Sequence, residues 1–207
     1  MKKIMMTLAA VAVAATMNAQ VWVGGELGFG ANKTTVKANG VSADTKVNNF
    51  TIAPELGYNL SENWAVAVKL GFAHNEADAE TLNLLQDFNN FGINSITTNS
   101  FSIKPYVRYT FLKAGNFSAF VDGGIGYASV HVNQLSSIIN NVNNFSVSIN
   151  PGISYGISEK VGLVAHLGDL SYNTQWCKAK EADVKVTRSN FNLGLWNSIS
   201  FGAYYNF

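Results

Sequence analysis

Apolar residues recur at every second position in stretch after stretch of this chain, from Val21 to Phe207. Trp64, Val66, Val68, Leu70 and Phe72 alternate with Ala65, Ala67, Lys69, Gly71 and Ala73. Phe101, Ile103, Pro105, Val107, Tyr109 and Phe111 alternate with Ser102, Lys104, Tyr106, Arg108 and Thr110. Period two is the side-chain period of a β-strand. Eight strands are expected, at 21–32, 46–60, 64–75, 99–112, 117–131, 144–157, 161–173 and 189–207. Three of them share the frame Ile-x-Pro-x-aliphatic-x-Tyr, at Ile52–Tyr58, Ile103–Tyr109 and Ile149–Tyr155, and these hold all three prolines of the chain. Such repetition signals one hairpin design used several times. A strand proline has no N–H for the ladder, so a bulge or bend is expected at each.

The connections alternate as well. Ser61-Glu62-Asn63, Lys113-Ala114-Gly115-Asn116 and Ser158-Glu159-Lys160 are tight polar turns, whereas Lys33–Thr45, Glu76–Thr98, Asn133–Asn143 and Thr174–Arg188 are long and rich in Asn, Ser and Thr. A sandwich imposes no such parity. A membrane barrel does, with short periplasmic turns and long extracellular loops. The fold expected is therefore all-β: an eight-stranded antiparallel up-and-down transmembrane β-barrel with both ends on the periplasmic side.

One face of every strand is bulky and apolar, and the other is small, polar or charged. The interior of an eight-stranded barrel is barely wide enough for its own side chains, so the Gly/Ala/Ser face fits inside and the bulky face meets lipid. Tyr58, Trp64, Tyr109, Tyr155 and Tyr205, near strand ends, then form an interfacial girdle. The ionisable residues assigned to the lumen are Glu26, Glu55 and Asp122 against Lys69, Lys104 and Arg108, three of each sign, as a poorly solvated interior requires. Reflection through the Asn63 turn sets Glu55 across from Lys69. Reflection with Phe111 opposite Phe117 sets Asp122 across from Tyr106, with Lys104 and Arg108 on the diagonals. These six residues are expected to form an ionic plug rather than line a continuous pore.

The first nineteen residues read as a secretory signal: Lys2 and Lys3, an apolar run from Ile4 to Ala15, and Ala19 before the cut. The run is too short for a helical span of about 20 residues. Residues 20–207 form the expected barrel domain. Loss of Lys2 and Lys3 leaves 12 of the 14 basic residues against 13 acidic ones, a balance that argues against a nucleic-acid partner. Cys177, the only cysteine, has no internal disulfide partner, so a core or a closed ladder must stabilise the chain.

The repeated proline hairpin and the closing Phe201-Gly202-Ala203-Tyr204-Tyr205-Asn206-Phe207 resemble the small outer-membrane barrels of the OmpA/OmpX-like superfamily, most nearly the outer-membrane β-barrel domain proteins of Bacteroidetes. The resemblance implies a monomer in the outer membrane of a Gram-negative bacterium, surrounded by lipid and lipopolysaccharide. It also implies that Phe201, Tyr205 and Phe207 form the insertion signal read by the barrel-assembly machinery; Ala203 breaks the aromatic series. A peptidoglycan-binding domain after the barrel is expected to be absent.

Some barrels of this size modify lipid A with a His, a Ser and an acid. His74 and His131 fall near extracellular strand ends without a serine at the needed spacing, and His166 faces the lumen as a hydrogen-bonded interior residue. No catalytic residue, cofactor or metal site is expected. His74, Glu76 and Asp78 could approach a cation but read as a solvated loop root. Asp122-Gly123-Gly124-Ile125-Gly126 precedes no helix, so it reads as a run of small lumen positions rather than a phosphate loop. The second long loop, with Leu82, Leu84, Leu85, Phe88, Phe91 and Ile93 and a short helix expected within Glu80–Asn89, is apolar for an exposed segment and is the candidate contact for an extracellular partner. A structural or surface-interaction role follows as the first expectation, with a narrow solute channel second and a lipid A-modifying enzyme third.

Overall fold

A computed structural model describes residues 20–38, 41–78, 95–133, 142–178 and 185–207, with the side chains of 30–47, 77–78, 95–96, 178, 185–186 and 195–198 left undescribed. The expected signal segment and the apolar loop residues Leu82–Ile93 lie outside the described residues. The strands are β1 (Val21–Ala38), β2 (Val41–Asn59), β3 (Trp64–Asp78), β4 (Ser95–Ala114), β5 (Phe117–Val132), β6 (Val142–Gly156), β7 (Val161–Lys178) and β8 (Lys185–Asn206). Each pairs antiparallel with the next, and β8 returns to β1 from Trp22↔Asn206 to Leu27↔Phe201, which closes the barrel.

The strands run farther at their extracellular ends than the apolar alternation suggests. Ladders continue to Ala38↔Val41, Asp78↔Ser95 and Lys178↔Lys185, so most of the expected first loop is a hairpin. Backbone hydrogen bonds hold a ladder whatever its outer face touches. Alternation with large apolar residues stops where the surrounding lipid stops, and the ladder does not.

At the opposite end, two of the three turns are built alike. Ser61 Oγ accepts hydrogen bonds from the N–H groups of Asn63 and Trp64 at 3.3 and 3.2 Å, and Ser158 Oγ accepts from Lys160 and Val161 at 3.3 and 3.1 Å. A serine hydroxyl thus takes over backbone donors that the tight turn leaves unpaired. The third turn has Gly115 at φ 60°, a conformation that costs glycine nothing. Here the register differs from the expected one. Ala114 pairs with Phe117, and the ladder slips one residue between Thr110 and Leu112. Without that slip the inward positions of β4 would face outward positions of β5. The bulge restores the match and sets Asp122 across from Arg108, not from Tyr106.

The prolines behave less uniformly than expected. Each is paired on the side of the preceding strand, at Pro54↔Gly25, Pro105↔Val68 and Pro151↔Val121. On the other side each ladder skips two residues. The register slips only at Pro151, between Ile149↔Leu170 and Gly152↔His166; at Pro54 and Pro105 it resumes unchanged. A missing N–H removes a bond toward one neighbour only, and the pairs on either side can hold the strands in step.

Exposure distinguishes outside from inside. Phe29 is 78% and Phe201 67% exposed, whereas Phe120, on an inward position of β5, is 1% exposed. The bulky face of the wall points outward, the reverse of a water-soluble barrel. Tyr58, Trp64, Tyr109, Tyr155 and Tyr205 all lie on that outer face, with Trp64 and Tyr109 stacked across β3 and β4 at 4.6 Å.

Candidate functional site

The lumen is filled from both directions, by rings lying on glycines and by a network of charges. Trp22, Tyr106, Phe120 and Tyr204 each sit directly across from a glycine on an adjacent strand: Gly57, Gly124, Gly152 and Gly162. A Cβ on Gly57 would lie 2.1 Å from the Trp22 ring, and one on Gly152 would lie 2.4 Å from Phe120. The glycines are what let rings of this size enter so narrow a barrel.

Between these rings lie the charges. Arg108 makes a two-point contact with Asp122, Nε to Oδ1 at 2.7 Å and Nη2 to Oδ2 at 2.8 Å, the strongest geometry available to this pair. Its guanidinium lies 3.9 Å from the Phe120 ring centre and 5.4 Å from that of Trp22. Lys69 binds Glu26 and lies 3.5 Å from Glu55 Oε2, which also accepts the Tyr106 hydroxyl at 2.8 Å. Ser200 donates to Glu26 at 2.7 Å. Lys104 donates to the Asn150 carbonyl oxygen at 2.5 Å, and the Asn150 amide donates to Asp169 at 2.8 Å, so a neutral side chain links that cation to that carboxylate.

All six residues assigned to the lumen from the sequence lie there: Lys69 stands across from Glu55 as the hairpin indicated. Arg108 is directly across from Asp122 rather than on its diagonal, and the remaining partners come from other strands. Three of these contacts skip a strand: β1 to β3 for Glu26 and Lys69, β2 to β4 for Glu55 and Tyr106, β4 to β6 for Lys104 and Asn150. His166 does so twice. Its Nδ1 is 2.9 Å from Glu26 on β1 and its Nε2 is 2.8 Å from Asp122 on β5. Contacts of this kind depend on the diameter of the closed barrel and are absent from any two-strand reflection.

Asp169 was missed for a different reason. Continuous alternation along β7 from His166 would point it at lipid. The pairing with β8 slips between His166↔Ser200 and Gly168↔Leu195, and the pairing with β6 slips beside Pro151. Past that point the odd positions of β7 face inward: Ser171 is buried and donates to Asp169 at 2.5 Å, while Tyr172 is exposed. The one available clue was Gly168 inside an apolar strand, a residue that marks bulges.

Two cavities flank the network. One of about 190 Å³ opens among the periplasmic turns and is floored by Trp22, Arg108, Phe120 and Tyr204. The other, about 240 Å³, is lined by Glu26, Lys69, Lys104, Asp122, His166 and Ser200. Arg108 lines the first and Asp122 the second, so the pair they form lies between the two.

Of the remaining candidates, His74 is on the outer wall, 2.8 Å from the Asn99 side chain, and His131 is exposed at the end of β5. Among the described residues no group of His, Cys, Asp and Glu is arranged to hold a metal ion. Phe201 and Tyr205 point outward, Tyr205 packs edge-on against Phe207 at 5.2 Å, and the Phe207 N–H donates to Val21 at 3.1 Å.

Comparison with known proteins agrees with this architecture. The sequence matches the family described as outer membrane protein beta-barrel domain over residues 4–207. No curated protein matches it significantly. Among solved structures, the outer membrane protein OprG from Pseudomonas aeruginosa superposes with a TM-score of 0.51 at 10% identity, over 91% of this chain and 96% of that one. Neisserial surface protein A gives 0.47 at 15% identity, over 90% and 97%. At such identities the likeness to OprG is one of fold alone.

Proposed function

The chain belongs to the outer membrane protein β-barrel domain family and so resides in the bacterial outer membrane, and on that premise we propose that it is a structural or surface-interacting barrel whose lumen is shut and which performs no catalysis. One observation carries the reading: the two-point Arg108–Asp122 pair, capped by Phe120 and Trp22, lies between the two cavities. A guanidinium held by a carboxylate and by aromatic faces is stabilised from several directions, and ion passage requires all of these contacts to part.

Function then falls to the surfaces. The apolar wall meets lipid and lipopolysaccharide, the extracellular loops contact a partner, and Phe201, Tyr205 and Phe207 serve the assembly machinery during insertion of a monomer. Reconstituted in planar bilayers at mildly acidic pH, the protein is expected to show no steady conductance, and Lys69→Met, which strips Glu26 and Glu55 of their shared cation, is expected to introduce one. Steady conductance of the native barrel at every pH would instead establish the second reading, a narrow channel, which the two cavities on either side of the pair favour. Catalysis on lipid A finds no support in the lumen, because His166 and Ser200 both bind Glu26 rather than each other. Lipid A from a deletion strain is expected to have an unchanged mass spectrum.

A further inference from the structure

His166 touches a carboxylate with each ring nitrogen, Glu26 at 2.9 Å and Asp122 at 2.8 Å. Ionised carboxylates only accept hydrogen bonds, and a neutral imidazole has one N–H to give. Both contacts are hydrogen bonds only when the ring carries two protons and a positive charge. The charge count points the same way. Glu26, Glu55, Asp122 and Asp169 are four lumen carboxylates among the described residues, and Lys69, Lys104 and Arg108 are three cations. An imidazolium is the fourth.

We propose that His166 is a proton-operated latch: charged, it ties β1 to β5 across the lumen and keeps the barrel shut, and loss of its proton opens a path for small ions. This rests on the reading that the network closes the lumen. Without the second proton the ring can donate to only one carboxylate and turns a lone pair toward the other. Glu26 retains Lys69 from β3 and Ser200 from β8, and Asp122 retains Arg108 from β4. Each half of the network therefore survives, and what is lost is the link between them. Glu55 on β2 and Lys104 on β4 are held by Tyr106 and Asn150 respectively, and β6 presents the neutral Asn150 and Ser148. Asp169, on the latch's own strand, is held by Asn150 and Ser171. Phe120 packs edge-on against the imidazole at 5.4 Å, which fixes the plane that aims both nitrogens. His166 and Asp122 both line the 240 Å³ cavity and Arg108 lines the 190 Å³ one. With the imidazolium gone, Asp122 is fixed by Arg108 alone, and that pair, the last barrier between the two spaces, parts more readily.

The test combines nitrogen NMR of the ring in lipid nanodiscs with bilayer conductance, both from about pH 5 to pH 9, the span over which histidines titrate. The expected result is a doubly protonated ring and a closed barrel at the acid end. As the proton leaves, conductance should rise about tenfold or more, the effect of losing one charged hydrogen bond. His166→Phe should conduct equally at every pH, with its folding checked by heat-modifiable migration on gels. A singly protonated ring throughout, a ring doubly protonated to the top of the range, or closure that ignores the loss of the proton would each overturn the latch and leave the shut lumen standing. A native barrel that conducts at every pH would overturn the shut lumen itself. If His166→Phe does not fold, the spectra and conductance of the native protein decide alone.

Discussion

The outer and inner faces of the same eight strands obey different rules. Outside, each position needs one property, to be apolar, and neighbours are nearly interchangeable: Leu27, Ile52, Val66, Val107 and Leu163 all present aliphatic surface to lipid. Inside, each position is chosen for a named partner, Trp22 for Gly57, Arg108 for Asp122, Lys104 for Asn150. Lipid is a solvent and accepts any side chain of the right polarity. The lumen excludes most solvent, so a polar group in it is costly unless another side chain meets it, and among the network carboxylates only Glu55 Oε1 goes unmet.

The widest separation between the faces should come from Asp122→Ala. It leaves Arg108 and His166 buried without their shared acceptor, and urea unfolding from lipid vesicles is expected to show a loss of about 3–5 kcal/mol. Val68 lies midway between Trp64 and Phe72 on the outer face of β3. Val68→Arg should cost about 2–4 kcal/mol in the same assay, while Val68→Leu should cost almost nothing, since depth in the bilayer is the only thing that position senses. Gly57→Ala adds one methyl group inside and nothing outside. It collides with the Trp22 ring, and a loss of about 1–3 kcal/mol with altered Trp fluorescence is expected. Pro54→Ala should matter least. It returns an N–H where the ladder to β3 is already in step, and a change within about 1 kcal/mol by the same unfolding measurement is expected. A large loss there would mean that the proline shapes the wall after all.

Legibility followed the same division. Outer positions announced themselves by alternation, and the turn at Ser61-Glu62-Asn63 was regular enough for reflection to pair Glu55 with Lys69. The β4–β5 turn was not, because the strands run on to Ala114↔Phe117 and the bulge near Phe111 carries no composition that distinguishes it from strand. Asp122 was consequently set one pair away from its true partner. Asp169 was hidden by the slips around Gly168, and Trp22 and Phe120 by the assumption that large residues face lipid. His166 was legible as an interior residue but not as a bridge, since Glu26 and Asp122 reach it from strands that are not its neighbours.

The amino-acid order by itself determined which faces are apolar, how many strands there are, the sequence of short and long connections, and hence the membrane in which the barrel closes. These are local or periodic properties, and each residue contributes to them without knowing its partner. Which charges meet was decided only by the closed tertiary structure. A contact across the lumen depends on barrel diameter, on strand stagger and on three slips in pairing, two by one residue and one by three. One such departure turns every side chain beyond it to the opposite face.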